Sequence, residues 1–105
     1  MSENSSYILH LTERSLWEEA QERELYEWST RGRTLQQEGF VHCSTRAQLA
    51  GTAALVYPDD DADLVVLVID PARLGVSVKY EGGFPHVYGA VPVGAVVDVE
   101  EFPGY

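Results

Sequence analysis

The stretch Leu64–Ile69 reads LVVLVI and is the longest apolar run of the chain. Asp63 precedes it, and the turn-forming pair Asp70-Pro71 follows it. A short, uninterrupted run of β-branched and aliphatic residues between such boundaries is typical of a strand that is covered on both faces. The run is far too short to cross a bilayer. We therefore predict a central buried strand, around which the other elements of the domain are arranged.

Shorter strand patterns lie on both sides of this run. They are Tyr7–Leu11, Phe40–Cys43, Val76–Tyr80 and Ala95–Val99. In the third of them apolar and polar residues alternate, which is the period of a half-buried strand. Glu81-Gly82-Gly83 follows it and predicts a turn.

Helix signals are confined to the first half of the chain. Ser15-x-x-Glu18 and Thr45-x-x-Gln48 both match a capping box. The first helix should bury Trp17, Ala20 and Leu25, and the second should run from about residue 46 to residue 56 with Ala50 and Ala54 facing the core. Between them, residues 28–33 (WSTRGR) have the composition of a loop, and residues 34–38 predict one helical turn that ends at Gly39.

These patterns predict an α+β fold, with several short strands and two early helices. A length of 105 residues suits one compact domain. We assign the domain to residues 7–105 and expect the polar segment 1–6 to be a disordered tail. That segment lacks the apolar centre of a signal peptide.

Charge and cysteine content restrict the possible functions. The chain carries 17 acidic and 7 basic residues, a formal net charge of −10. This balance disfavours binding to nucleic acids and to anionic membranes, both of which require basic patches. The single Cys43 excludes an internal disulfide and a site with several cysteine ligands. We therefore expect a freely soluble, cytoplasmic protein.

The segment Gly39–Thr45 (GFVHCST) places a histidine just before a predicted helix. The first turn of a helix offers unpaired N–H groups and a positive dipole end, which favour anions. Two interpretations follow. Ser44 and Thr45 only cap the helix, or the cap acts together with His42 and Arg46 to hold a nucleotide or another anion.

The three histidines His10, His42 and His86 each lie at the end of a predicted strand or in a turn. Binding residues concentrate at such positions, although a histidine among apolar neighbours is commonly a core residue. No H-x-H, H-x-x-x-H or H-E-x-x-H pair is present, so the spacing argues against a metal site. His86 belongs to KYEGGFPHVYG (Lys79–Gly89), which fits either a tight hairpin pinned by Phe84 and Tyr88 or one wall of a ligand site.

A family resemblance rests on several of these segments together. YILHL, EGFVHCST, LVVLVID, VKYE and FPHVYGAVP resemble DUF952, a family of small bacterial domains of unknown function. The resemblance extends from about Tyr7 to Val99. It implies a split β-sheet domain of the ADP-ribosyltransferase-like superfamily, with the RNA 2′-phosphotransferase branch nearest and with NAD as a substrate.

Residue roles follow only from this resemblance. His10 would contact the adenosine ribose of NAD, His42 would lie near the nicotinamide, and Ser44 would support the cleft. Glu81 is the candidate for the glutamate that several transferases of this fold use, so His42 and Glu81 are the catalytic candidates. Arg46, His86 and Tyr88 complete the set of candidate binding residues. Two functions remain open: an NAD-binding domain that transfers ADP-ribose or hydrolyses NAD, and a non-catalytic module for a small anionic metabolite or a protein partner.

Overall fold

The computed structural model describes residues 7–58 and 61–103, so the expected tail at residues 1–6 lies outside the described residues. Strands dominate the described chain, and the few helices are short. In chain order the elements are β1 (Ile8–Glu13), α1 (Arg14–Arg23), β2 (Leu25–Tyr26), β3 (Trp28–Thr30), β4 (Arg33–Thr34), α2 (Leu35–Glu38), β5 (Val41–His42), α3 (Leu49–Val56), β6 (Leu64–Ile69), β7 (Val78–Glu81), β8 (Phe84–Val87), β9 (Val91–Pro92) and β10 (Val96–Phe102). Short 3₁₀ turns occupy Arg46–Gln48, Pro71–Arg73 and Val93–Ala95.

The predicted central strand is confirmed as β6. It lies between β1 and β10 and is antiparallel to both. All six of its residues are buried. Because side chains alternate along a strand, Val65, Leu67 and Ile69 enter one apolar cluster, whereas the other three enter a second cluster on the opposite face.

A helix covers each face of this sheet. Trp17 and Ala20 of α1 are buried in the first cluster, as predicted. On the other face α3 buries Leu49 and Ala53, and Tyr57 just after the helix joins them. The prediction that Ala50 and Ala54 face the core is wrong, because both are exposed. Leu49, Ala53 and Tyr57 are spaced four residues apart and remove more apolar area from water than the alanines would.

A second three-stranded sheet has the order β5-β8-β7. It joins the first sheet where Leu9 and Ser44 exchange two backbone hydrogen bonds of 2.9 and 2.7 Å. Two small antiparallel pairs, β2–β9 and β3–β4, complete the arrangement. The expectation of a small α+β domain with split sheets is therefore confirmed.

The first helix differs from its prediction at both ends. Its N-cap is Glu13, with no side-chain cap, and Ser15 lies inside the helix. The reason is that β1 pairs with β6 as far as Glu13, and the Arg14 N–H then donates to Asp63 O, so the strand leads directly into the helix. The helix ends at Glu24 in a left-handed conformation. Leu25 therefore falls in β2 and is exposed rather than buried.

The segment 28–33 is not the predicted loop. It contains β3 and the start of β4, which form a hairpin whose turn includes Gly32 at φ +74°. The helical turn after Thr34 is confirmed, with a capping box to Gln37 and a left-handed Gly39. The turn at Glu81-Gly82-Gly83 is also confirmed, and both glycines have positive φ. The last strand begins one residue later than predicted and runs on to Phe102.

Candidate functional site

A concave cleft of about 570 Å³ lies between α3 and the two sheets. Its volume falls within the range typical of small-molecule sites. Four of the candidate residues line it: His10, His42, Ser44 and His86. The remaining lining residues are Leu11, Ser29, Thr30, Cys43, Ala47, Gln48, Gly51, Thr52, Leu55, Val56, Tyr57 and Phe84. The junction of the two sheets thus brings together residues that are far apart in sequence.

One long wall of the cleft is α3 together with the 3₁₀ turn before it. Ala47, Gly51 and Leu55 recur every four residues and therefore share one helix face. The methyl group of Ala47 and the lack of a side chain at Gly51 allow a ligand to approach the helix backbone. From Ala47 to Val56 the wall is roughly 14 Å long, at about 1.5 Å per residue. Leu55 is 82% exposed at its edge and offers an apolar surface to a ligand.

Hydrogen bonds hold both ends of this wall to the sheets. At one end the Gln48 side-chain amide donates to Gly83 O at 2.8 Å, and its Oε1 accepts from the Thr45 N–H at 2.9 Å. At the other end Arg31 donates to Val56 O at 3.2 Å. The first end lies near the histidines, and the second lies near the β3–β4 hairpin. We call them the histidine end and the hairpin end.

The histidine end is built on the register of β5 and β8. His42 pairs directly with His86 across these strands, which brings their ring centroids to 5.0 Å. The Phe40 ring stacks on His86 at 4.1 Å and meets His42 edge-on at 4.6 Å. Burial and the neighbouring His86 lower the pKa of His42. His42 is therefore largely uncharged near neutral pH, so its ring offers a hydrogen-bonding nitrogen rather than a positive charge.

Glu81 is not among the lining residues but supports His86. Its Oε1 accepts a hydrogen bond from His86 Nδ1 at 2.6 Å and another from the Tyr88 hydroxyl at 2.5 Å. Both hydrogen bonds lower the pKa of Glu81, and the one from Tyr88 has the larger effect. Since Nδ1 donates to the carboxylate, the neutral His86 ring carries its lone pair on Nε2. Tyr88 also lies outside the cleft lining, and its pKa is raised by the bond to Glu81.

His10 occupies the floor of the cleft and is 3% exposed. Its Nδ1 donates to His42 O at 2.6 Å, and its Nε2 lies 2.7 Å from the Tyr26 hydroxyl, which is 2.8 Å from Thr12 Oγ1. Burial lowers the pKa of His10 to about 4, so the ring is neutral and Nε2 accepts from Tyr26. Both ring nitrogens are thus engaged within the protein. A contact with a ribose stays a prediction that requires one of these bonds to be exchanged.

The other floor residues are small and polar. Ser44 Oγ lies 2.9 Å from Thr52 Oγ1, and this pair links the strand junction to α3. Cys43 is buried, and burial raises the pKa of its thiol. A thiol of this kind is a poor nucleophile at neutral pH.

The structure places Arg46 away from the cleft. Its guanidinium forms two hydrogen bonds with the Glu100 carboxylate, at 2.7 and 2.9 Å. With Glu100 it lines a separate surface depression near Tyr7 and Val97. The cation beside the cleft is instead Arg31, whose guanidinium carbon lies 4.6 Å from the centroid of the Tyr57 ring. The direction of the Arg46 side chain follows from the geometry of the 3₁₀ turn, because position 46 lies on the opposite side of the turn from Ala47 and Gln48.

Sequence reasoning missed the hairpin end of the site. Ser29 and Thr30 line the cleft, although their segment was expected to be a loop. Thr52 was also missed. The available signal was the hydroxyl-rich composition of WSTRGRT, which is equally typical of turns.

Among residues 7–58 and 61–103 no group of three or more His, Cys, Asp and Glu side chains is arranged to hold a metal ion. No helix in the described part of the chain is long and apolar enough to cross a membrane.

The chain is similar to solved structures of another protein. Three of these structures are of protein CC0527 from Caulobacter crescentus. An X-ray structure is 29% identical, covers 90% of this chain and 84% of that one, and has a TM-score of 0.76. A double-mutant form is 28% identical with the same coverage and TM-score. A solution NMR structure is 29% identical over 91% and 84% of the two chains, with a TM-score of 0.72.

No curated protein matches the sequence. The family model described as "Protein of unknown function (DUF952)" matches residues 11–99, which include every candidate site residue except His10. The chain therefore belongs to the DUF952 family.

Proposed function

We propose that the cleft binds NAD or a related nucleotide, and that its histidine end acts on the bond between nicotinamide and ribose. The observation that carries the proposal is the meeting of His42, His86, Ser44 and Thr52 in one cleft of about 570 Å³. The split-sheet architecture and the resemblance to ADP-ribosyltransferase-like proteins support it. Flat apolar surface and a few hydroxyl and imidazole groups match the bases and riboses of a nucleotide.

The chemistry at the histidine end would be the cleavage of an N-glycosidic bond. The bond from ribose C1′ to the pyridinium nitrogen breaks, and its electron pair passes to that nitrogen, so nicotinamide leaves uncharged. A water oxygen, or an acceptor hydroxyl, forms the new bond to C1′ and loses its proton. Hydrolysis thus converts NAD and water into ADP-ribose, nicotinamide and one proton.

His86 is the candidate base for that proton. It lines the cleft, and its Nδ1 is held by Glu81 at 2.6 Å, which leaves Nε2 as the proton acceptor. The Glu81 carboxylate would stabilise the protonated His86 ring. Glu81 thus acts through His86 as a positioning residue, and His42 on the paired strand contacts the nucleotide.

A non-catalytic binding module is the second candidate. The observation that favours it is that the candidate catalytic carboxylate, Glu81, lies outside the cleft lining. Every side chain that lines the cleft is uncharged or an imidazole. In this case the same cleft recognises a nucleotide-like metabolite without breaking a bond.

Calorimetric titration with NAD, ADP-ribose and AMP, followed by an assay for released nicotinamide, separates the two candidates. We expect NAD to bind and nicotinamide to be released. His86→Gln should abolish release but retain binding, and Tyr80→Phe, a change on the exposed face of β7, should alter neither. Binding without release in the unmodified protein would support the module. No binding of any of the three nucleotides would refute the proposal.

A further inference from the structure

The Glu81 carboxylate accepts hydrogen bonds from two neighbouring side chains on a single oxygen. Its Oε1 lies 2.6 Å from His86 Nδ1 and 2.5 Å from the Tyr88 hydroxyl. Glu81 is opposite Phe84 in the β7–β8 ladder, so His86 and Tyr88 lie farther along the same face. The carboxylate therefore reaches diagonally along the sheet to meet both of them.

Two effects oppose the bond between Glu81 and His86. The Glu81 side chain is 46% exposed, so it gains conformational freedom and hydration when it turns into solvent. Lys79 lies directly opposite His86 on the same face of the sheet, and its charge also attracts the carboxylate. The hydrogen bond from Tyr88 to the same Oε1 counteracts both effects, because it holds the carboxylate beside His86.

Tyr88 is fixed by contacts that do not involve its hydroxyl. Its N–H donates to Ser77 O at 2.9 Å, and its ring centroid lies 5.4 Å from that of Phe40 and 5.1 Å from Lys79 Nζ. The hydroxyl donates to Glu81, and Tyr88 lies outside the cleft lining. Tyr88 is thus placed to influence the site through Glu81, without touching a ligand in the cleft.

The tautomer of His86 depends on where this carboxylate lies. A neutral imidazole carries its proton on one nitrogen, and the hydrogen bonds of the ring select which nitrogen that is. While Glu81 accepts from Nδ1, the proton stays there and Nε2 keeps its lone pair. When Glu81 turns away, the ring is free to carry its proton on Nε2, which then cannot accept another proton.

We propose that Tyr88 is a positioning residue, whose hydroxyl keeps Glu81 on His86 and thereby maintains the Nδ1–H form of that ring. The consequence for catalysis rests on the proposed function, in which Nε2 of His86 accepts the proton of the attacking water. The consequence for the tautomer is a property of the protein without any ligand. Separate experiments therefore test the two consequences.

NMR spectra of the ring nitrogens test the tautomer in the ¹⁵N-labelled protein without ligand. At about pH 8.5, well above the usual histidine pKa of about 6.5, the unmodified protein should show His86 in the Nδ1–H form. Tyr88→Phe keeps the aromatic ring and removes only the hydroxyl, and in this variant the Nε2–H form of His86 should become populated.

His10 serves as the internal reference for these spectra. Its Nδ1 donates to His42 O, so it should stay in the Nδ1–H form in both proteins. An Nε2–H form of His86 in the unmodified protein would overturn the proposal. An unchanged His86 tautomer in folded Tyr88→Phe would also overturn it.

Nicotinamide release tests the consequence for the reaction. Because Tyr88 lies outside the cleft lining, Tyr88→Phe should leave the KM for NAD within about twofold and lower kcat roughly 10-fold. Tyr80→Phe removes a hydroxyl from the exposed face of β7 and should change neither the tautomer nor kcat. An unchanged kcat in Tyr88→Phe, despite a changed tautomer, would refute the role of Tyr88 in the reaction.

The two experiments also separate this inference from the proposed function. A His86 tautomer that depends on Tyr88, in a protein that neither binds NAD nor releases nicotinamide, would support the positioning role and refute the proposed function. Nicotinamide release together with an unaffected tautomer in Tyr88→Phe would do the reverse.

Discussion

His10 and His42 show how two histidines in similar sequence surroundings come to different environments. His10 lies on β1, inside the first sheet, where both of its ring nitrogens are hydrogen-bonded and its side chain is buried. His42 lies on a two-residue strand beside the cleft, and its ring meets the rings of Phe40 and His86. The two are connected, because the His42 carbonyl accepts the His10 Nδ1–H. His10 therefore supports the backbone that presents His42.

Stability should depend on pH through His10. Its pKa is about 4 in the folded protein and near 6.5 when unfolded. Between these values the unfolded chain binds more protons, so the free energy of unfolding falls as the pH drops from about 6.5 toward 4. The full loss from this residue is roughly 3 kcal/mol, at about 1.4 kcal/mol per pH unit. Urea unfolding at a series of pH values measures it.

His10→Gln provides the control for that pH dependence. The variant should be less stable at pH 7, because buried hydrogen bonds are lost, and its stability should vary less between pH 6.5 and 4. His42 also has a lowered pKa, so some dependence should remain. An unchanged slope in His10→Gln would show that His10 does not titrate in this way.

His42→Gln should separate binding from folding. The His42 ring is half-buried and has no hydrogen bond among the described residues, so the free energy of unfolding should change by less than about 1 kcal/mol. NAD affinity should fall, since glutamine lacks the flat ring. Parallel calorimetry and thermal unfolding measure both. A large loss of stability with intact NAD binding would make His42 a structural residue.

At the scale of elements, sequence patterns predicted the parts that local chemistry determines. LVVLVI predicted β6, Gly39 predicted the end of the helical turn that follows Thr34, and the glycine pair at 82–83 predicted the turn between β7 and β8. Sequence patterns failed to predict elements whose bounds depend on the pairing of strands. The start of α1 is determined by the pairing of β1 with β6, and the β3–β4 hairpin replaces a loop for which only composition was available. The prediction of the buried face of α3 was wrong by one residue, because Leu49 and Ala53 are buried rather than Ala50 and Ala54.

Gln48 should contribute to stability through two elements at once. It caps the turn before α3 and also donates to Gly83 O in the β7–β8 turn. Gln37 plays the same capping role for α2, and its side chain accepts from the Thr34 N–H. We expect Gln48→Ala to lower the free energy of unfolding by about 1–2 kcal/mol and Gln37→Ala by about half as much. Chemical denaturation measures both, and equal losses would contradict the double role of Gln48.

At the scale of the whole molecule, electrostatics decide how an anionic nucleotide reaches the cleft. The net charge of −10 opposes its approach. Arg46 is paired with Glu100 on another surface, whereas Arg31 lies at the hairpin end. The candidate site was therefore predicted only in part. The sequence indicated His42, His86 and Ser44, but chain topology alone reveals that Arg31 lies at the other end of the same cleft wall.

Arg31→Gln and Arg46→Gln form a matched pair that tests this difference. Arg31→Gln should weaken the binding of NAD, more so at low salt, and leave the binding of uncharged nicotinamide nearly unchanged. Arg46→Gln should affect neither ligand and should cost at most about 1 kcal/mol of stability, as is usual for an exposed ion pair. Titrations at two salt concentrations measure both effects. Weaker NAD binding in Arg46→Gln alone would show that the phosphates bind near Arg46, as the sequence predicted.

The most direct test of the account is an NMR titration of the ¹⁵N-labelled protein with NAD. Binding in the cleft should shift the backbone amide signals of Thr30, His42, Gly51 and Thr52 in a saturable manner. The signals of Val97 and Glu100, beside the separate depression, should remain in place. Absence of shifts at millimolar NAD, or shifts confined to the Arg46–Glu100 surface, would contradict the claim that this cleft is a nucleotide site.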